Sequence, residues 1–106
     1  MKGMGDMGKL MKQAQQMQAR MAKAQEELEA LEIEASSGGG AVTVRMNGKQ
    51  VILGISIKPE VVDPEDVEML EDMILAAYSE ARKKAEAVAE EELSKVTGGL
   101  QLPGMF

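Results

Sequence analysis

Apolar and small residues recur along the first third of the chain in steps of three and four without a skip: Met7, Leu10, Ala14, Met17, Met21, Ala24, Leu28 and Leu31. That spacing is a heptad seam, with Met7, Ala14, Met21 and Leu28 at a and Leu10, Met17, Ala24 and Leu31 at d. At ~1.5 Å per residue it predicts a helix roughly 40 Å long, more than so small a domain can surround, so one stripe must pack on a partner while the rest meets water. Asp6 is the expected N-cap, with Gly8 weakening the first turn. Ile33 and Ala35, alternating with Glu34 and Ser36, read as a short edge strand over 33–37 that Gly38-Gly39-Gly40 stops. Asn47-Gly48 is the preferred pair for a two-residue type I′ hairpin. Such a turn sets Met46 opposite Lys49, Val44 opposite Val51 and Val42 opposite Leu53, with Ile55 and Ile57 on the same apolar face. Thr43, Arg45, Gln50, Ile52 and Ser56 then share the other face. After Pro59, Asp63-Pro64-Glu65-Asp66 offers an N-cap, a Pro at N1 and acids for the first turn of a second helix. Its apolar stripe is Val67, Leu70, Ile74, Ala77, Ala81, Ala85 and Val88, flanked by Met73 and Tyr78, and Gly98-Gly99 closes it.

The predicted order is helix, short strand, hairpin, helix: an α+β domain (α-β-β-β-α) with two long helices on one face of a three-stranded antiparallel sheet. Residues 1–98 form this single domain and 99–106 a flexible C-terminal tail. Three short strands leave open edges and too little area to cover two helices of this length. Pairing with a second copy would bury both the seam and a sheet edge, which predicts a symmetric homodimer with Val42, Val44, Val51, Ile52, Leu53 and Ile55 at its interface.

Composition then removes several chemistries. The chain has 106 residues, 44% of them hydrophobic, with one Phe, one Tyr and no Trp, so its interior is built from aliphatics, Ala and Met. Without Cys or His it has no disulfide, no thiolate metal site, no ordinary zinc ligand and no neutral-pH acid or base of the usual kind. No enzymatic activity, cofactor or small-molecule substrate is expected. No apolar run resembles a signal peptide or is long enough to span a bilayer, which predicts a soluble cytoplasmic protein with no membrane partner. Ten Met residues suggest a thioether copper site, but most sit on or beside the seam, where Met fills a core. The triple glycine lacks the Lys-Ser or Lys-Thr of a phosphate loop and precedes a strand. The acids of 60–72 do not follow an EF-hand spacing and suit a helix N-terminus.

Charge changes the picture most. The formal net charge of −6 hides a segregation along the chain. Residues 1–24 carry Lys2, Lys9, Lys12, Arg20 and Lys23 against Asp6 alone, whereas 25–35 carry five Glu and no base. Residues 36–58 carry Arg45, Lys49 and Lys58 with no acid, and 60–72 carry seven acids with no base. On the first helix Lys9, Lys12, Gln16, Arg20 and Lys23 fall within an arc of about 80° across from the seam. A basic face of this kind is often no more than a solubilising surface. Here Lys12 and Arg20 have no acid three or four positions away to pair with, and Lys9 to Lys23 spans about 21 Å, enough to follow several phosphates of a duplex. Arg82, Lys83 and Lys84 add a smaller cluster on the second helix. With no aromatic stacking platform and no recognition-helix motif, a nucleic-acid partner would be held through phosphates and groove shape.

Several stretches together carry a resemblance: MGKLMKQAQQMQ at 7–18, the Gly40 to Gly48 stretch ending in Asn47-Gly48, the Ile57-Lys58-Pro59 exit, MLEDMILAAYSEA at 69–81, and the closing GLQLPGMF. In this order, over nearly the whole chain, they resemble the YbaB/EbfC family of bacterial nucleoid-associated proteins. The resemblance implies an α-β-β-β-α protomer, a tweezer-like homodimer joined largely through its sheets, and double-stranded DNA binding by protruding helices. It also implies a nucleoid location, roles in nucleoid organisation and gene regulation, and no enzymatic activity. On this sequence the DNA-facing positions would be Lys9, Lys12, Gln13, Gln16, Arg20 and Lys23, with Arg82, Lys83 and Lys84. The competing expectation is a coiled-coil adaptor or prefoldin-like holdase that presents Met-rich surface to partner proteins.

Overall fold

A computed structural model describes residues 2–97, with side chains from Met7 onward. The elements are α1 (Lys2–Ala30), β1 (Glu32–Ser37), a 3₁₀ turn (Gly38–Gly40), β2 (Val42–Asn47), β3 (Ile52–Ile57), a second 3₁₀ turn (Pro59–Val61) and α2 (Val67–Val96). This is the expected α-β-β-β-α order. The Gly98-Gly99 stop and the tail over 99–106 lie outside the described residues.

Both helices begin elsewhere than the capping signals suggest. α1 runs through Asp6 and Gly8 from Lys2, so Asp6 is an interior position and not an N-cap. At α2 two aspartates divide the work. The Asp63 carboxylate accepts from the Glu65 amide at 2.9 Å, and the Asp66 amide closes the turn onto the Asp63 carbonyl at 3.0 Å. Asp66 is the N-cap, accepting from the Met69 amide at 3.3 Å, so the helix starts three residues after Pro64, which is spent on the turn.

The strands form one three-stranded antiparallel sheet in the order β1-β2-β3. β1 pairs with β2 as Ile33 with Met46, Ala35 with Val44 and Ser37 with Val42, which sends Ile33 and Ala35 inward. The β2–β3 register differs from the expected one. Val42 lies opposite Ile57, Val44 opposite Ile55 and Met46 opposite Ile52, with a bulge between Arg45 and Met46. The cause is the turn. Asn47 ends its strand instead of entering a two-residue loop, because its side-chain oxygen accepts the amides of Lys49 at 2.9 Å and Val51 at 3.0 Å. Gln50 takes the left-handed conformation (φ 66°), giving a longer loop over Gly48, Lys49 and Gln50. A four-residue displacement preserves the parity of Val42 and Val44 with β3, so Ile55 and Ile57 stay on the inner face. The bulge brings Ile52 there as well, opposite Met46.

The core is small and aliphatic. α2 lies over β1 and β2, and Ala77, Ala81 and Ala85 (each 0% exposed) bring it close to Ile33, Ala35, Val42, Val44 and Met46. Leu70, Met73, Ile74, Tyr78 and Val88 flank this cluster as the stripe predicts, while Val67, one turn earlier, is exposed. Val42 and Val44 are fully buried under α2 within one protomer, which corrects their assignment to an interface between copies. β3 is barely covered: Ile55 and Ile57 point to the core face yet remain 46% and 37% exposed.

Only the second half of the seam packs inside the protomer. Ala24 and Leu28 are buried, Met21 is half-buried, and Leu31 stays exposed. The Gly48 amide donates to the Leu28 carbonyl at 2.7 Å, tying the hairpin turn to the end of α1. α1 therefore packs on α2 and meets the sheet mainly at β2 and this turn, and does not lie across the sheet beside α2.

Candidate nucleic-acid interface

The charged surface of interest is set by where α1 loses its neighbours. The last turn of α2 presents Glu92, Lys95 and Val96 to Arg20, Lys23, Ala24 and Glu27 of α1 across an open groove of about 220 Å³. From Met7 to Arg20 every residue of α1 is exposed, on the seam side as well as the basic side. Met7–Ala19 thus forms an arm, about 20 Å long at ~1.5 Å per residue, that stands clear of the described body. The longest dimension of the molecule is 78 Å against 24 and 17 Å for the others.

On this arm and at its base stand Lys9, Lys12, Gln13, Gln16, Arg20 and Lys23, all exposed. Among the side chains described, from Met7 onward, no carboxylate lies within ion-pairing distance of Lys9, Lys12, Arg20 or Lys23. The predicted cluster on α2 has a different setting. Arg82 pairs with Glu86 at 3.2 Å, Lys83 with Glu80 at 3.9 Å, and the Lys84 ammonium donates to the Glu34 carbonyl at 3.0 Å. Of the three only Lys84 reaches β1; all lie roughly 20 Å along α2 from Lys95, and the protomer does not bring them to the arm. One residue that the sequence pattern did not single out joins the site: Lys95, paired with Glu92 at 3.4 Å, faces Arg20 and Lys23 across the groove. Its sequence signal is weak, a lysine in the last turn of a helix, and its position follows only from the alignment of the two helices.

A static row of ammonium and guanidinium groups on a straight helix has a limited repertoire. It can neutralise a line of negative charges spaced along a rod, and its glutamines can donate to phosphate or groove oxygens. No group of three or more His, Cys, Asp or Glu among the described residues is placed to hold a metal ion. The acids Asp66, Glu68 and Asp72 line a separate open cleft with Ser37, Gly38 and Met73 at the far end of α2. No helix among the described residues is long and apolar enough to cross a membrane.

A small α+β body with a projecting helix whose basic face meets no carboxylate among the described side chains has the architecture of a polyanion-binding protein. Family comparison makes the class specific. The chain belongs to the YbaB/EbfC DNA-binding family, whose model matches residues 4–100. It is 55% identical over 106 residues to a nucleoid-associated protein of Alkaliphilus metalliredigens, covering 100% of this chain and 93% of the relative. It is 59% identical over 103 residues to a nucleoid-associated protein of Ruminiclostridium cellulolyticum, covering 96% and 90%. The fold is shared with uncharacterized protein HP0035 from Helicobacter pylori, whose crystal structure superposes with a TM-score of 0.74 at 22% identity over 87% of this chain and 94% of that one.

Proposed function

We propose that this chain binds double-stranded DNA as a homodimer in the nucleoid, mainly through phosphate contacts of the α1 arm, and that it thereby organises the nucleoid and regulates genes. The observation that carries the reading is Lys9 and Lys12 on the uncovered arm with Arg20 and Lys23 at its base, none of them within ion-pairing distance of a carboxylate among the side chains described from Met7 onward. Support for the dimer comes from β3, an open sheet edge whose Ile52, Leu53 and Ile55, with Val51 before them, are all exposed. A second copy seated there would complete the cover that α2 gives only to β1 and β2. Exposure of Met7, Leu10 and Met11 also suits a holdase, but membership in a DNA-binding family favours DNA.

Changing Lys9, Lys12 and Lys23 together to Glu tests the reading. The triple variant should lose its gel shift of random-sequence duplex while its native mass and helical circular dichroism stay those of the parent. An unchanged affinity would remove this surface from the assignment.

A further inference from the structure

The seam on the arm has no occupant within the described protomer: Met7 is 65%, Leu10 63% and Met17 37% exposed, and Ala14 lies open between them. We infer that this stretch pairs, antiparallel, with the same stretch of a second copy, making a self-interface distinct from the β3 edge. Three observations lead there. First, the stripe continues in unbroken heptad register the seam that Met21, Ala24 and Leu28 already pack inside the protomer, so it has the geometry of a helix–helix contact. Second, the positions flanking the overlap, Met11, Gln13 and Gln18, are uncharged and Arg20 lies past its end, so two arms can approach without like charges meeting. Lys9 and Lys12 lie about 120° and 180° around the helix from the stripe and stay outward. Third, the residue sizes choose the direction. An antiparallel pair sets Leu10 against the partner's Ala14 and Met7 against the partner's Met17, a large residue filling each small one's gap. A parallel pair would face Ala14 with Ala14 and leave a hole.

Two consequences follow from length and symmetry. The contact spans less than two heptads, too short to hold firmly on its own, so it is weak between free molecules. DNA that holds many copies side by side raises their effective concentration and favours it. Two different two-fold interfaces on one chain, one at β3 and one at the arm, generate an open string of dimers and not a closed particle. The arm pairing stands on the exposed seam alone; its expression as cooperative assembly on DNA rests on the function proposed above.

The chain contains no cysteine, so introduced thiols report directly. Leu10→Cys and Ala14→Cys chains, mixed at high concentration and mildly oxidised, should link mainly as mixed pairs, resolved by mass spectrometry, and in assemblies larger than two chains. Self-pairs in excess, or linkage no greater than for Lys12→Cys on the outer face, would each overturn the arm pairing, whereas mixed pairs whose native mass is that of two chains would overturn the β3 dimer and with it the string. In parallel, Met7, Leu10 and Met17 are changed together to Gln. Affinity for a short random-sequence duplex that takes one dimer should stay within about twofold, while the gain of at least about tenfold in affinity per site on a long duplex should vanish. Cooperativity that survives the change refutes the arm pairing. Lost affinity for the short duplex would place the seam itself against DNA and refute the arm pairing, while leaving DNA binding by the arm in place.

Discussion

Replacing Lys9, Lys12 and Lys23 together by Gln removes charge from the arm with little else, since Gln and Lys have nearly the same helix propensity and all three side chains are exposed. The magnitude follows from counterion release. Each phosphate neutralised on B-DNA adds about −0.9 to the slope of log affinity against log salt, so three lost contacts flatten it by about 2.7. If both arms of a dimer grip one duplex, each substitution acts twice and the loss is about 5.4. For one arm, a fourfold rise in salt should therefore weaken the parent roughly 40-fold more than it weakens the variant. Fluorescence anisotropy with a labelled random-sequence duplex over a salt series measures this directly, and the size of the change counts the arms engaged. A variant with lower affinity but the parent's slope would show that these lysines act through the fold and do not touch phosphate. A variant with unchanged affinity and slope would dismiss the arm as the contact surface.

Two further outcomes test the scaffold that holds the arm. Gly48→Ala would place a Cβ 2.7 Å from the Leu28 carbonyl oxygen, a backbone atom that can yield only if α1 shifts. It should destabilise the protein by about 1–3 kcal/mol in urea unfolding, and an unchanged midpoint would refute the proposed tie between hairpin turn and arm. Ala81→Leu inserts three carbons where α2 is 0% exposed against the sheet, and should cost about 1–3 kcal/mol or more, read as a lower melting temperature. A neutral result there would mean that α2 stands further from β1 and β2 than the core geometry shows.

The elements of this fold are legible in the chain because each has its own periodicity. The alanine stripe of α2 and the inward alternation of Ile33 and Ala35 are local patterns with one packing solution. The hairpin register is less local. Asn47-Gly48 has the residue preferences of a tight turn, yet the Asn47 side chain satisfies two amides further on, and the Gly48 backbone is drawn to the end of α1. A tertiary contact of that kind leaves no trace in a turn dipeptide. Val42 and Val44 show the same limit. Strand alternation marks them as apolar and inward, but which of two coverings meets them, the protomer's α2 or another copy, depends on how many strands one helix spans. α2 spans two, and β3 is the strand left over. For the site, the basic face of α1 is readable from spacing alone, whereas the pairing of Arg82 and Lys83 and the approach of Lys95 depend on rotamers and helix alignment.

The acidity of the chain also finds its physical place in this arrangement. A protein of net charge −6 repels a polyanion at long range, so contact requires its acids to lie beyond the screening length from its bases. The acid-rich residues 60–72 lie before and within the first turns of α2, whereas Lys95 and the base of the arm lie at its other end. From Asp72 to Lys95 the helix rises about 35 Å, roughly four times the ~8 Å Debye length at physiological salt. Those carboxylates are therefore electrically absent from the arm. Glu26, Glu27 and Glu29, which follow Lys23 within two turns of the same helix, and Glu92, which lines the groove opposite Arg20 and Lys23, are not. They place negative potential at the foot of the basic face and set its inner limit near Arg20 and Lys23. On the function proposed above, a duplex lying along α1 would follow the arm outward from that point and be repelled from the body, so charge order along one helix would set the orientation of the contact.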